Sequence, residues 1–271
     1  MHAAAATLTS KVFPSGHAAV KAALAGTHRR TGNPDRDKYR HPLETLDFFG
    51  LNPTMTVVEY APGEGWYTEI LAPVLSKRGK LFVPTTDPNG PSDQQSTLSG
   101  QRFKALLDSS PEIYGNTHSV LVDNKAPQVG IDRSADLVLL IREVHGFYNS
   151  KTLTQWLAEA WKALKPNGVL GIVQHRAPPG SNPEDTAKHG YVAEAWVIAQ
   201  VEEAGFKLAG KSEINANPKD TKDYPEGVWS LPPTYREKDT NRAKYAAIGE
   251  SDRMTLKFVK VTPVTPRKVQ P

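Results

Sequence analysis

One stretch constrains the fold more than any other: Met55 to Leu75, MTVVEYAPGEGWYTEILAPVL. A short apolar run (Met55, Val57, Val58) ends at an acid, Glu59. Ala61-Pro62-Gly63-Glu64-Gly65 follows, a tight turn with little side-chain bulk. Trp66, Tyr67, Ile70, Leu71, Val74 and Leu75 then recur at the one, three or four residue spacing of a helix face. Strand, glycine turn, helix is how an open α/β sheet holds a nucleotide-like ligand. Glycine lets the backbone approach the ligand, which sits at the carboxyl end of the strand. Glu59 stands where a carboxylate meets a cation or a ribose hydroxyl. A Gly-x-Gly turn also serves elsewhere as a plain connection between strand and helix.

Two families use such a turn. The dinucleotide fingerprint requires Gly-x-Gly-x-x-Gly after the strand. Gly63 and Gly65 fit it, but Thr68 occupies the third glycine position. The other pattern is acid-x-Gly-x-Gly-x-Gly, with the acid closing the first strand. Glu59-x-Ala61-x-Gly63-x-Gly65 matches it, with Ala61 in place of the first glycine. In this the stretch resembles motif I of the class I S-adenosylmethionine (SAM) methyltransferases.

Composition narrows the alternatives. The 271 residues suffice for one sizeable core, and 38% hydrophobic and 23% charged residues are ordinary for a soluble globular protein. The net charge of +4 comes from scattered Lys and Arg, not from the clustered cations that a nucleic-acid groove needs. With no cysteine, disulfides, zinc ribbons and thiol catalysis are excluded. The histidines show no HExxH-type spacing, so no metal site is expected. No apolar run of about 18 residues is present, and no membrane span is expected. Met1-His2-Ala3-Ala4-Ala5-Ala6 lacks a charged leader and a long apolar core, so it does not read as a signal peptide, though the remnant of one is the alternative.

Taken in order, residues 1–41 are expected to form an arm, with a short helix at Ala18–Leu24 and a polar surface loop at Thr31–His41. A single domain over 42–261 opens with a helix at Pro42, bearing Leu43, Leu46 and Phe49 on one face. Strands are expected at Leu81–Val83, Ser119–Val122, Ala135–Ile141, Val169–Val173, from Phe206, and at Met254–Val261. Ala135–Ile141 (ADLVLLI) is nearly continuous and apolar, as a central parallel strand covered on both faces requires. Helices fall between the strands, with Leu153, Trp156, Leu157, Ala160 and Leu164 on one face and a second over Tyr191–Ala204. Residues 214–250 are a proline-rich insertion of the length of a lid or binding loop. A disordered tail is expected over 262–271. Nucleotide-binding folds usually place an acid at the end of the second strand. Here Pro84-Thr85-Thr86 stands there and Asp87 comes late, so either Asp87 reaches back or a threonine hydroxyl substitutes more weakly. Residues just past the central strand, Arg142 to Tyr148, are placed for chemistry.

Further marks extend the resemblance over about Pro42 to Val261. Leu164-Lys165-Pro166-Asn167-Gly168 resembles the LKPGG turn of class I methyltransferases, and Glu203-Ala204-Gly205-Phe206 opens a strand as is common there. With Arg142-x-x-His145 and Asn217-Pro218-Lys219-Asp220, the chain is similar to a group of bacterial predicted methyltransferases often made with an export signal. The resemblance implies a Rossmann-like α/β fold. Its seven-stranded, mostly parallel sheet has order 3-2-1-4-5-7-6, an antiparallel last strand and helices on both faces. It implies SAM as cofactor, S-adenosylhomocysteine as product, and in-line methyl transfer to a small-molecule acceptor. Glu59 would hold the cofactor's ammonium, with Tyr60, Ala61, Gly63, Gly65 and Tyr67 around it. Asp87 would reach the ribose and Asp123 the adenine, unless Asp123 only turns the chain.

Several roles have plainer alternatives. His145 is the candidate base, since its ordinary pKa lies near working pH, or a core histidine at a strand end. Arg142 can hold a substrate carboxylate bidentately, or pair with Glu143. Glu64 points either at the sulfonium or at solvent. Trp66, Tyr67, Tyr148 and Trp229 either wall pockets or simply pack. Two other functions stay open: a catalytically silent SAM-binding protein of this fold, and an NAD(P)-dependent oxidoreductase, which Thr68 disfavours. No nucleic-acid or membrane partner is expected, and the oligomeric state is left open. Cofactor supply points to the cytoplasm, and a removed signal would point to the periplasm.

Overall fold

The computed structural model describes residues 8–261. Among these, seven strands form one sheet in the order β3-β2-β1-β4-β5-β7-β6. They are β1 (Thr56–Tyr60), β2 (Lys80–Thr85), β3 (Thr117–Leu121), β4 (Ala135–Ile141), β5 (Leu164–His175), β6 (Phe206–Ser212) and β7 (Arg253–Lys260). β1 to β5 pair in parallel, and β7 runs antiparallel to both β5 and β6. This is the order expected of the sequence. The tail expected over 262–271 lies outside the described residues.

Helices cover both faces. They are α1 (Gly16–Leu24), α2 (Asp37–Arg40), α3 (Pro42–Phe49), α4 (Thr68–Leu75), α5 (Gln95–Ser109), α6 (Pro111–Tyr114), α7 (Val144–Asn149), α8 (Leu153–Ala163), α9 (Pro183–Thr186), α10 (Glu194–Glu203) and α11 (Arg242–Ile248). Side chains of a strand alternate between its faces, so β1 sends Val57 one way and Val58 and Tyr60 the other. Val57 joins Leu46, Phe49, Ile70, Leu71 and Leu137 in one cluster. Val58 and Tyr60 join Val138, Leu140, Trp156, Leu157 and Val197 in the second. β4 is buried on both faces except at Asp136, which accepts from the Thr56 amide (2.8 Å) and from Lys165 Nζ (2.6 Å). Among the described residues no helix is long and apolar enough to cross a membrane.

Three local differences have physical reasons. α4 begins at Thr68 rather than Trp66, because Gly63 (φ +59°) and Gly65 (φ +83°) keep the chain left-handed until just before it. β5 begins at Leu164, so the Leu-Lys-Pro-Asn-Gly segment is an irregularity within the strand, not a gap before it. The register shifts between Ala135 and Leu137, and Asn167 takes φ +62°. β2 continues through Pro84, which has no N–H to donate. Its pairing with β1 ends at Val58↔Phe82, so that missing donor breaks no ladder to β1.

Thr31–His41, expected as a polar surface loop, and the two arginines just before it are instead tied to the domain. Glu69, fully buried on α4, accepts from Arg30 Nε (2.7 Å) and from the Asn33 amide (2.9 Å to each oxygen). Trp66 Nε1 donates to the Asn33 carbonyl (3.1 Å), and Arg29 forks onto Asp37 (2.6 and 2.8 Å). The insertion is likewise packed. Tyr224, Leu231 and Tyr245 form their own cluster. Asn217 Nδ2 donates to the carbonyls of Ile248 and Glu250 (2.9 and 2.7 Å). Asp220 accepts from the Tyr191 hydroxyl (3.0 Å) and the Asp252 amide (2.8 Å). The Asn-Pro-Lys-Asp segment thus closes the base of the insertion onto the chain before β7.

Asp220→Ala strands two buried donors, a phenol and an amide. Loss of such partners typically costs about 1–3 kcal/mol per group. Urea unfolding should therefore report a drop of about 2–4 kcal/mol, and a change under about 0.5 kcal/mol would contradict this clamp.

Candidate functional site

A cleft of about 320 Å³ opens at the carboxyl ends of β1, β2, β3 and β4. Ala61, Pro62 and Gly63 line it from β1, Pro84, Thr85 and Thr86 from β2, Val122 and Asn124 from β3, and Glu143, Gly146 and Phe147 from β4, with Trp156 of α8. Its size is at the low end of the ~300–1,000 Å³ range for small-molecule sites. β1 and β4 are the neighbours at which the strand order reverses, the usual ligand position in an open α/β sheet. A further hollow of about 390 Å³ lies by Tyr148, Lys151, Glu184 and Gln200, and none of the glycine-turn residues reaches it.

The glycine turn has one open side and one packed side. Ala61 takes φ +49°, a left-handed conformation that glycine favours and alanine tolerates at a cost. A Cβ placed on Gly63 would meet no atom within 4 Å, so its backbone faces open space. A Cβ on Gly65 would fall 2.2 Å from a methyl of Leu106 on α5, so this glycine packs the turn rather than lining the cleft. Beneath the turn, Glu59 is 2% exposed and accepts from the Thr68 hydroxyl at 2.7 Å. Burial raises its carboxyl from the ordinary value to about 7, with the Thr68 hydrogen bonds opposing. Thr68, the residue that breaks the dinucleotide fingerprint, is thus the partner of this acid.

Besides Gly65, four expected residues sit elsewhere than the resemblance implies. Tyr60 points into the core edge-on to Trp156 (4.7 Å) and does not line the cleft. Tyr67 is buried against Trp66 (4.8 Å) on the opposite cluster. Asp87 is exposed and accepts from the Asn89 amide (2.8 Å), so it closes its own turn. Asp123 does the same with the Lys125 amide (2.8 Å). Short Asx turns of this kind satisfy a carboxylate locally. Glu64 faces solvent and pairs with Arg102 (3.1 Å). Tyr148 donates to Glu184 (2.9 Å) outside the cleft.

The residues after β4 divide between two places. Glu143 lines the cleft, and burial raises its carboxyl to about 7, opposed by the nearby Arg142 charge. From sequence, Glu143 reads only as a partner for Arg142. The signal that could have found it is position, two residues closer to the end of β4 than His145. Asn124 was likewise passed over in favour of Asp123. His145 is 8% exposed, with Nδ1 3.2 Å from the Gln174 amide nitrogen. Its ring lies 5.8 Å from those of His175 and of Trp229, which the insertion contributes. Burial, with Arg142 nearby, lowers its pKa to about 4, so it is uncharged at neutral pH. Arg142 adopts φ +63°. Among the described residues no group of His, Asp and Glu is arranged to hold a metal ion.

No family model and no curated protein matches the chain. Among solved structures it is similar to a SAM-dependent methyltransferase from Aquifex aeolicus, at 17% identity and a TM-score of 0.56 over 84% of this chain and 94% of that one. It is similar to a SAM-dependent methyltransferase from Methanosarcina mazei, at 11% identity and 0.52 over 80% and 96%. It is also similar to the cyclase SpnF, at 11% identity and 0.59 over 82% and 80%. At such identities the likeness carries the fold.

Glu59 binds its proton more tightly folded than unfolded, so the stability tied to that proton is lost as pH rises from about 4.5 to about 7. Glu59→Gln keeps an acceptor for Thr68 and removes the titration. Across pH 4.5 to 8 the variant should gain about 3 kcal/mol relative to the wild type. Parallel stability–pH profiles from chemical unfolding would sink this assignment.

Proposed function

We propose that the chain is a SAM-dependent methyltransferase acting on a small molecule. The observation that carries this reading is the charge of the cleft. Among the described residues that line it, Glu143 is the one charged side chain, and no cation faces in. A dinucleotide would bring an anionic pyrophosphate to such a cleft, whereas SAM brings a cation. The residues present fit SAM in part. Open backbone at Gly63 admits close approach, Trp156 and Phe147 offer apolar ring surface, and Glu143 faces in with Glu59 below the turn. No acid from β2 lines the cleft, so the hydroxyl-bearing Thr85 and Thr86 are the polar groups left at the ribose position.

When bound, SAM supplies an electrophilic methyl group on a sulfonium. The chain then has three tasks. The turn orients the cofactor through its backbone, with Glu59 and Thr68 fixing the turn from below. Glu143 gives negative potential on the cleft side of β4. With a pKa near 7 it is also the better general base, since a base serves best near working pH. His145, held near 4, is a poor proton acceptor at neutral pH and more suited to orienting a neighbour. Exposed Asp87 and Asp123 favour one other reading, a SAM-binding protein without turnover, marked by cofactor binding with no acceptor consumed.

Calorimetry with SAM, S-adenosylhomocysteine and NAD tests the reading. SAM and S-adenosylhomocysteine should bind and NAD should not, and the reverse pattern would overturn it. Asparagine tolerates the left-handed backbone of position 63, so Gly63→Asn should fold yet weaken SAM binding at least ~10-fold by filling the open space. Ionised Glu143 favours a cation, so SAM affinity should rise about tenfold from pH 6 to 8. Glu143→Gln should flatten much of that rise, and an unchanged slope would exclude Glu143 as the cation's neighbour.

A further inference from the structure

Beyond the cleft, at the same end of the sheet, lies a second group of charges that the cofactor reading leaves unused. Glu250, 5% exposed, accepts from Arg36 Nε (2.7 Å) and Arg40 Nε (2.9 Å), and Arg253 Nη1 lies 3.1 Å from it. These three guanidiniums come from the amino-terminal segment and from the start of β7, and they share one carboxylate. A fourth, Arg142, lies close enough to feel both Glu250 and Arg253. Its side chain has no hydrogen-bond or ion-pair partner among the described residues, and its Nε is shut away from solvent. The residue as a whole keeps some accessible surface. Arg40 also leaves both Nη atoms unbonded, but its Cζ lies 4.7 Å from the centre of the Trp66 ring, a cation–π contact that partly satisfies the guanidinium. Arg142 has no such ring contact.

Two carboxylates, Glu250 and Glu143, therefore stand against four guanidiniums. An arginine that is largely buried and unpaired is costly, because it gives up hydration without gaining an acceptor. Its left-handed φ of +63° adds backbone strain of the kind that collects at functional positions. The nearby imidazoles of His145 and His175 are uncharged, held low by burial, so they bring no further cation but offer polar atoms. A planar guanidinium fork matches the two oxygens of a carboxylate or a phosphate.

We propose that Arg142, backed by Arg36 and Arg253, binds an oxyanion group of the methyl acceptor, so that the acceptor is a small molecule carrying a carboxylate or a phosphate. This rests on the methyltransferase reading for the word acceptor, but the anion site itself does not. The donor cation and the acceptor anion would then occupy opposite sides of Glu143. Arg142 holds the acceptor and takes no part in the methyl transfer.

The test uses the full chain without cofactor. Calorimetry with succinate and with inorganic phosphate, each against sodium chloride of equal ionic strength, should show binding of one of the two. The stronger arm identifies carboxylate or phosphate. Arg142→Gln should weaken that binding at least tenfold and leave SAM binding within about twofold, while Arg142→Lys should restore it only partly, because an ammonium lacks the fork. Wild-type NMR gives a readout that does not depend on the variant folding. The His145 midpoint, held at about 4 in the free protein mainly by burial and further by the Arg142 charge, should move upward when the anion neutralises that charge. Equal binding of both probes by wild type and Arg142→Gln, or a His145 midpoint unmoved by either anion, would overturn the proposal. Anion binding without SAM binding would keep the site and remove the methyltransferase reading. SAM binding without anion binding would do the opposite.

Discussion

A carboxyl group held out of water is the constraint around which this end of the sheet is built. Glu59, next to last in β1, lies under the glycine turn and meets the Thr68 hydroxyl at the first residue of α4. That contact ties the strand to the helix across the turn, so the backbone between them is free to leave its open side to a ligand. Burial makes the acid costly to ionise, and a group that is costly to ionise is one that a cation in the cleft can relieve. The site is thus poised by desolvation rather than by an opposing charge.

The amino-terminal segment has a different logic. Arg30 and Asn33 converge on Glu69, and Arg36 and Arg40 on Glu250. One stretch of chain therefore reaches both α4, just after the glycine turn, and the approach to β7. Through these contacts the segment ties together parts of the chain far apart in sequence. Ion pairs this deep are weak evidence for stability, because desolvation offsets much of the attraction. Their effect is geometric. They hold a cationic group beside an acidic cleft, and the two signs of charge meet at Arg142 and Glu143, neighbours in sequence that face different ways.

Much of the fold could be read from the chain, and particular elements show why. Ala135–Ile141 has the expected bounds, since a strand covered on both faces needs an unbroken apolar run. The helix at Pro42–Phe49 likewise matches, with proline at its start and glycine at its end. Reading failed where charge was taken for solvation. Thr31–His41 looks like a solvated surface loop, and nothing local says that Glu69 and Glu250 wait for Asn33, Arg36 and Arg40. At Asp87 the resemblance implies a ribose contact, and at Asp123 either an adenine contact or a plain turn of the chain. Each carboxylate instead found a backbone amide two residues on, a nearer partner than any ligand.

By itself, then, the sequence determined which segments become strands and where the glycine turn sets the cleft, because apolar periodicity and the turn are local properties carried by adjacent residues, while the strand order came only with the resemblance. Only the tertiary structure decided which acids and bases face that cleft. Glu143 enters it while His145 turns to Gln174, and Arg142 is left with no acceptor beside Glu250. Those outcomes depend on burial and on partners distant in the chain, Gln174 for His145 and Glu250 for Arg142, and burial, not residue type, decides which side chain keeps its charge.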